Sequence, residues 1–132
     1  PLICYEILFS DLILKSLDQD TSVIINITND AWFGNTIGPI QHFQHAKIRA
    51  VEFGIPVIRV ANTGYSGLIS PYGEVLKKLN YNEKGVLSFK LINKIKDTIF
   101  KKYSIRIFII NIAIIFIFNV LLKFIFSKLE YK

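Results

Sequence analysis

Pro1-Leu2-Ile3-Cys4-Tyr5-Glu6 opens the chain with a short apolar run that ends in its single cysteine. Behind it, Ile7, Leu8, Leu12, Ile13 and Leu17 fit a helical stripe better than an alternation, so a helix is predicted from Glu6. The thiol therefore falls at a strand-to-helix turn. Helix N–H groups and the positive end of the dipole favour a thiolate there, and an exposed thiol is a natural covalent nucleophile. A lone cysteine is more often a small buried hydrophobe, and on position alone both readings stay open.

Working outward, Asp18-Gln19-Asp20-Thr21 ends the helix with polar turn chemistry. Ser22-Val23-Ile24-Ile25-Asn26-Ile27-Thr28 is β-branched, apolar and bounded by polar residues, which reads as a largely buried strand. Asn29-Asp30-Ala31-Trp32-Phe33-Gly34-Asn35 is a loop directly after it. Its adjacent aromatics, Trp32 and Phe33, are either a lid over the local core or the wall of an apolar binding pocket.

Gly38-Pro39 starts a helix running to about Phe53, with Ile40, Phe43, Ala46, Lys47, Ala50 and Phe53 near one face. Arg49 and Glu52 are spaced to pair on its surface, Gly54 is placed to cap it and Pro56 to stop it. His42 and His45 lie three apart, but no third ligand in a fitting motif accompanies them, so no metal site is expected.

Val57–Ala61 is another buried-type strand. Ser66–Ser70 and Val75–Leu79 form a hairpin across Pro71-Tyr72-Gly73-Glu74, and Gly85–Leu91 alternates loosely as one more strand. This order of elements implies an α/β domain over residues 1–91, a mixed sheet covered by helices on at least one face.

The composition sets the partners. The 132 residues are 52% hydrophobic yet carry a formal charge of +6. Many basic residues flank the apolar C-terminal run, which suggests a membrane-associated protein. No segment shows a basic stripe interleaved with exposed aromatics, so no nucleic-acid partner is expected. One cysteine excludes an intramolecular disulfide, and no secretory signal opens the chain. The sequence has no methionine and begins directly in a strand. It is therefore read as a fragment of a longer protein, with removal of an initiator ahead of Pro1 as the alternative.

Residues 92–104 form a Lys-rich linker with Lys94, Lys96, Lys101 and Lys102, and residues 105–126 are overwhelmingly apolar. A helix over 105–126 is about 33 Å long against a bilayer core of about 30 Å, so one transmembrane helix is predicted there. Arg106 and Lys123 would snorkel to the interfaces, and Asn111 and Asn119 would hydrogen-bond to a neighbouring membrane helix. A short polar tail, 127–132, follows. The excess of basic residues before the span would put the α/β domain in the cytoplasm, but whole domains translocate largely regardless of charge.

Cys4-Tyr5-Glu6 after an apolar strand resembles the nucleophile motif of the nitrilase superfamily, also called the carbon-nitrogen hydrolases, whose members use Cys, Glu and Lys. Asn29-Asp30-Ala31-Trp32-Phe33-Gly34, Gln41-His42-Phe43-Gln44, Arg49-Ala50 with Glu52, Asn62-Thr63-Gly64 and Pro71-Tyr72-Gly73-Glu74 follow in a familiar order. Joined to a membrane helix, they are similar to the C-terminal part of the apolipoprotein N-acyltransferase family. The resemblance implies the C-terminal part of an α-β-β-α sandwich followed by the transmembrane helix. It also implies a cofactor-free, metal-free thioester mechanism. Cys4 takes an acyl chain from a phospholipid donor and passes it to the α-amino group of a diacylglyceryl-cysteine on a lipoprotein acceptor. By the same motif, Tyr5 and Glu6 neighbour the nucleophile, and Trp32 and Phe33 belong near the lipid pocket. The implied location is the bacterial inner membrane, with the catalytic domain on the periplasmic side.

In this family the base Glu and the oxyanion Lys lie upstream of the Cys. Glu6 occupies its own position in the motif, and Lys15, Lys47, Lys77 and Lys78 match none of the catalytic pattern. The chain is therefore expected to be inactive without its missing N-terminal part. Two other readings remain, a nitrilase-type amidase and a non-catalytic membrane remnant of a split gene.

Overall fold

The computed structural model describes the backbone of residues 1–103 and 105–130, and the side chains of residues 1–103, 106 and 108–123. It divides into two compact units, Pro1–Lys101 and Lys102–Lys132.

In the first unit, β1 (Leu2–Ile3), β2 (Ile24–Asn29), β3 (Val57–Asn62), β4 (Ser66–Ile69) and β5 (Val75–Leu79) form one sheet in the order β1-β2-β3-β4-β5. β1, β2 and β3 are parallel, while β4 and β5 return antiparallel as a hairpin. Parallel neighbours need crossover connections, and helices supply them. The segment between β1 and β2 carries a 3₁₀ helix, Cys4–Leu8, then α1 (Ser10–Ser16). α2 (Gly38–Phe53) joins β2 to β3.

The helix expected to run on from Glu6 is thus two pieces, a tight 3₁₀ turn and a short α-helix. Phe9, at φ −97° and ψ 87° and so outside the helical region, separates them. The apolar stripe survives the break, because Ile7 and Ile13 both bury completely or nearly so.

α2 forms where its sequence places it. Pro39 sits in the first turn, where its missing N–H costs nothing. Pro39, His42, Phe43, Ala46, Arg49, Ala50 and Phe53 bury, a stripe at helical spacing. Ala46 and Ala50, both 0% exposed, are the small positions of that stripe between Phe43 and Phe53. At the far end Gly54 takes φ +65°, and its N–H bonds Ala50 O. A Cβ there would lie 2.6 Å from Ile95 Cγ1, so both the conformation and the space require glycine.

β2 alternates strictly. Ile24, Asn26 and Thr28 turn inward toward the helices, and Ile25, Ile27 and Asn29 turn outward. On the inner face Leu2, Ile24, Val57 and Ile69 join Ile7, Ile13, Phe43, Phe53 and Ile55 in the core. On the outer face Ile3, Ile27 and Val60 pair in register across β1, β2 and β3, and all three are exposed. Helices cover one face of the sheet, and the opposite face of the three parallel strands presents isoleucine and valine to solvent.

The strand expected over Gly85–Leu91 is absent, since residues 84–95 carry no regular structure. Its alternation offers a face but finds no ladder partner. A side-chain bond, Lys77 Nζ donating to Ser88 O at 2.6 Å, ties it to β5. Within the stretch expected as a linker, α3 (Ile99–Tyr103) forms, and Phe100 packs edge-on against Phe53 at 6.0 Å between ring centroids.

The second unit contains α4 (Ile105–Glu130). Its described side chains from Phe108 to Leu122 carry no charge and are exposed, and Asn119 Nδ2 donates back to Ile115 O at 2.8 Å. Among the described residues no helix is long and apolar enough to cross a membrane. The span expected over 105–126 includes side chains at 105, 107 and 124–126 that lie outside the described residues, as do the side chains of the 127–132 tail.

Candidate active site

Cys4 leaves β1 with φ +49°, a left-handed conformation that costs a non-glycine residue about 1–2 kcal/mol. Such strain persists only where surrounding contacts over-determine it, and here they can be named. The Glu6 carboxylate folds back to accept the Ile3 N–H at 2.7 Å. From below, Asn26 Nδ2 donates to both Leu2 O and Cys4 O at 3.3 Å. The turn is clamped on both sides of the cysteine, and the Cys4 side chain is half-buried.

Strand alternation builds what lies beneath. Asn26 and Thr28 are successive inward positions of β2, and Asp30 begins the next turn, a 3₁₀ helix over Asp30–Phe33. Arg59 is the inward residue of β3 in register with Asn26, and His42 reaches in from α2. Arg59 Nη2 donates to both Asp30 oxygens at 3.1 and 2.8 Å, and Arg59 Nη1 bonds Asn26 Oδ1. Thr28 Oγ1 lies 3.1 Å from Asp30 Oδ1 and 3.5 Å from Cys4 Sγ. His42 Nδ1 meets Asp30 Oδ1 at 2.9 Å, and with the carboxylate ionised it is the nitrogen that carries the proton.

Asp30 and Arg59 are 0% and 1% exposed, so their charges persist because they pair with each other, although Arg59 Nε is buried without a hydrogen-bond partner among the described residues. Burial pushes the Asp30 carboxyl upward, but the His42 hydrogen bond and the Arg59 charge outweigh it and hold the group below the usual aspartate value. Burial also lowers Arg59, against the pull of Asp30. Space for the carboxylate comes from Gly64, where a Cβ would fall 2.2 Å from Asp30 Oδ2.

An aromatic group stands beside this network. Tyr5 stacks on His42 at 5.2 Å and 20° between ring planes, and Phe33 meets both rings edge-on at 6.0 and 5.8 Å. Gly38 makes room for Phe33, since a Cβ there would lie 2.2 Å from its ring. Trp32 is 84% exposed. Of the five residues singled out from the sequence, Cys4, Tyr5 and Glu6 share one turn, Phe33 joins Tyr5, and Trp32 stands apart.

Sequence reading passed over Asn26, Thr28, Asp30, His42 as a partner of Asp30, and Arg59. The signal was present. Asn26 and Thr28 are polar residues two apart in a strand that otherwise reads as buried, and Arg59 is a charge inside another.

The chemistry available is that of a strained, half-buried thiol over a hydroxyl backed by a paired carboxylate. Among the described residues, the sulfur's hydrogen-bond partner is Thr28, and no group of three or more His, Cys, Asp and Glu side chains could hold a metal ion.

Comparison with known proteins shows the family. A family model described as carbon-nitrogen hydrolase matches residues 1–98. Apolipoprotein N-acyltransferase of Agrobacterium fabrum is 53% identical over 91 residues, covering 69% of this chain and 17% of its own length. The Rickettsia bellii protein of the same name is 47% identical over 104 residues, 78% of this chain and 21% of its own. The chain thus spans about a fifth of the length of these relatives. Among solved structures, a Cys-to-Ala mutant of a Nesterenkonia AN1 amidase from the nitrilase superfamily superposes with a TM-score of 0.51 at 21% identity. That likeness covers 63% of this chain and 34% of the amidase, and it concerns the fold.

Proposed function

Since this chain belongs to the carbon-nitrogen hydrolase family, we propose that it is the nucleophile-bearing part of an apolipoprotein N-acyltransferase. The observation that carries this reading is the clamped, left-handed Cys4 turn, found in a chain 53% identical over 91 residues to a protein of that name.

In the proposed reaction the Cys4 thiolate attacks the ester carbonyl of a phospholipid. The tetrahedral intermediate collapses to a thioester, and the lysophospholipid leaves as an alcohol after taking a proton. The α-amino group of a diacylglyceryl-cysteine then attacks the thioester, gives up a proton and releases the thiolate. A carboxylate base and a cationic oxyanion donor belong to this chemistry, and no residue of this chain matches either. The chain is accordingly proposed to be inactive alone and to work with an upstream part carrying them. The uncovered isoleucine and valine face of the sheet supports such a partner, because apolar patches of this kind mark surfaces that pack on something.

The same proposal divides the chain into the C-terminal part of the catalytic domain over 1–91, a basic linker over 92–104, a transmembrane helix over 105–126 and a polar tail over 127–132. It places the protein in the inner membrane with the catalytic part on the periplasmic side. Tyr5 and Glu6 are proposed to neighbour the nucleophile, and Trp32 and Phe33 to belong to the lipid pocket.

The test is acyl-thioester formation. The chain, coexpressed with an upstream part from a relative, is incubated with labelled phospholipid and examined for hydroxylamine-sensitive label. Label on Cys4 that is lost in Cys4→Ser is expected. Label that persists in Cys4→Ser removes the nucleophile assignment, and no label in the complemented protein favours the non-catalytic remnant. The fold likeness to an amidase supports a second reading, hydrolysis of an amide. Release of ammonia from short amides by the complemented protein, without acyl transfer, would favour it.

A further inference from the structure

Resting on the reading of Cys4 as the nucleophile, we propose that Thr28 is a positioning residue whose hydroxyl changes partner as the Cys4 sulfur changes charge. Thr28 Oγ1 lies within reach of Cys4 Sγ at 3.5 Å and of Asp30 Oδ1 at 3.1 Å, on a side chain that is almost fully buried. It has one hydrogen for two acceptors.

In the thiol form the Cys4 S–H donates to Thr28 Oγ1, and Thr28 donates to Asp30. When the thiol loses its proton to solvent, the Thr28 hydroxyl rotates and donates to the thiolate. Asp30 gives up one bond and keeps three, two from Arg59 and one from His42. A carboxylate already so paired loses little, while the new anion gains a charge-assisted donor.

The backbone is built to hold this geometry through the change. Asn26 fixes the carbonyls of Leu2 and Cys4, and it is itself bonded by Arg59, which anchors Asp30. Asn26 and Thr28 sit on a central strand, so their side chains share one face at fixed spacing beneath the turn. Of the titratable and charged groups nearby, Arg59 on β3 acts on the sulfur through its charge, Tyr5 and Glu6 follow in the same turn, and Asp30, paired with His42 of α2, lies behind Thr28. Thr28 is the side chain among the described residues that hydrogen-bonds the sulfur.

The single cysteine makes the test clean, because iodoacetamide then reports one site. The rate of Cys4 alkylation is measured against pH on the full chain in detergent, for wild type, Thr28→Ser, Thr28→Ala and Thr28→Val, with far-UV circular dichroism as the fold control. Serine is expected to keep the wild-type rate. Alanine and valine are expected to slow alkylation about tenfold on the rising limb of the profile, where the thiolate is the minor form. Serine and alanine share the missing methyl, so a packing defect moves both alike and overturns the proposal, as does an unchanged rate in alanine. If alanine loses the native spectrum, serine against valine reads the same contrast. Acyl transfer is not measured here, so its failure in the complemented protein leaves this result standing.

Discussion

Replacing Arg59 by Met would leave the Asp30 carboxylate with Thr28 and His42 in a site closed to water. Breaking a buried ion pair by removing one partner typically costs about 3–5 kcal/mol, a large share of the roughly 5–15 kcal/mol that holds a domain together. The Asp30→Asn, Arg59→Met double variant is expected to lose less than the sum of the singles, because no unpaired charge remains; urea midpoints measure all three. The depressed Asp30 value carries a pH consequence of definite sign. Its stabilisation is complete above the ordinary aspartate value of 3.8, declines below it as the unfolded chain takes up the proton first, and is gone below the folded value. Asp30→Asn is therefore expected to flatten the acid limb of stability against pH below about 4, while leaving its shape near neutrality unchanged. An acid limb of wild-type steepness in that variant would show that other groups set it.

At the scale of elements, α2 is bounded by residues with visible reasons, and its stop is the easiest to break. Gly54→Ala puts a Cβ into a left-handed backbone, costing about 1–2 kcal/mol, and into contact with Ile95 as well. A thermal midpoint lowered by several degrees is expected, and an unchanged one would mean that the backbone leaves the left-handed region there as the Ile95 segment yields. This helix was legible from Gly38 to Phe53 because periodicity, an N-terminal proline and a C-terminal glycine all agreed. The 3₁₀ turns Cys4–Leu8 and Asp30–Phe33 were not, since a single turn is too short to show a period. Gly85–Leu91 misled in the other direction, because alternation records a preference for a strand and not the presence of a neighbour to pair with. The site divides the same way. Cys4, Tyr5 and Glu6 are contiguous and could be read together, whereas Asp30, His42 and Arg59 meet only once β2, α2 and β3 are packed.

For the molecule as a whole, the decisive asymmetry is a sheet with helices on one face and exposed Ile3, Ile27 and Val60 on the other. Side chains already in water contribute little to the stability of this chain, so changing them separates folding from assembly. Ile27→Lys with Val60→Lys is expected to leave the unfolding free energy of the chain, read from urea titration, within about 0.5 kcal/mol of wild type, the usual range for surface substitutions. If the face docks an upstream sheet, the same pair buries two unpaired ammonium groups in that interface and should abolish both copurification with the upstream part and thioester formation on Cys4. The contrast with Thr28→Ala places the two effects at different levels, because that variant is expected to bind the upstream part normally and to react more slowly at the sulfur. Copurification and labelling that both survive the lysine pair would mean that the partner sits elsewhere and that this face is covered by something other than a second sheet.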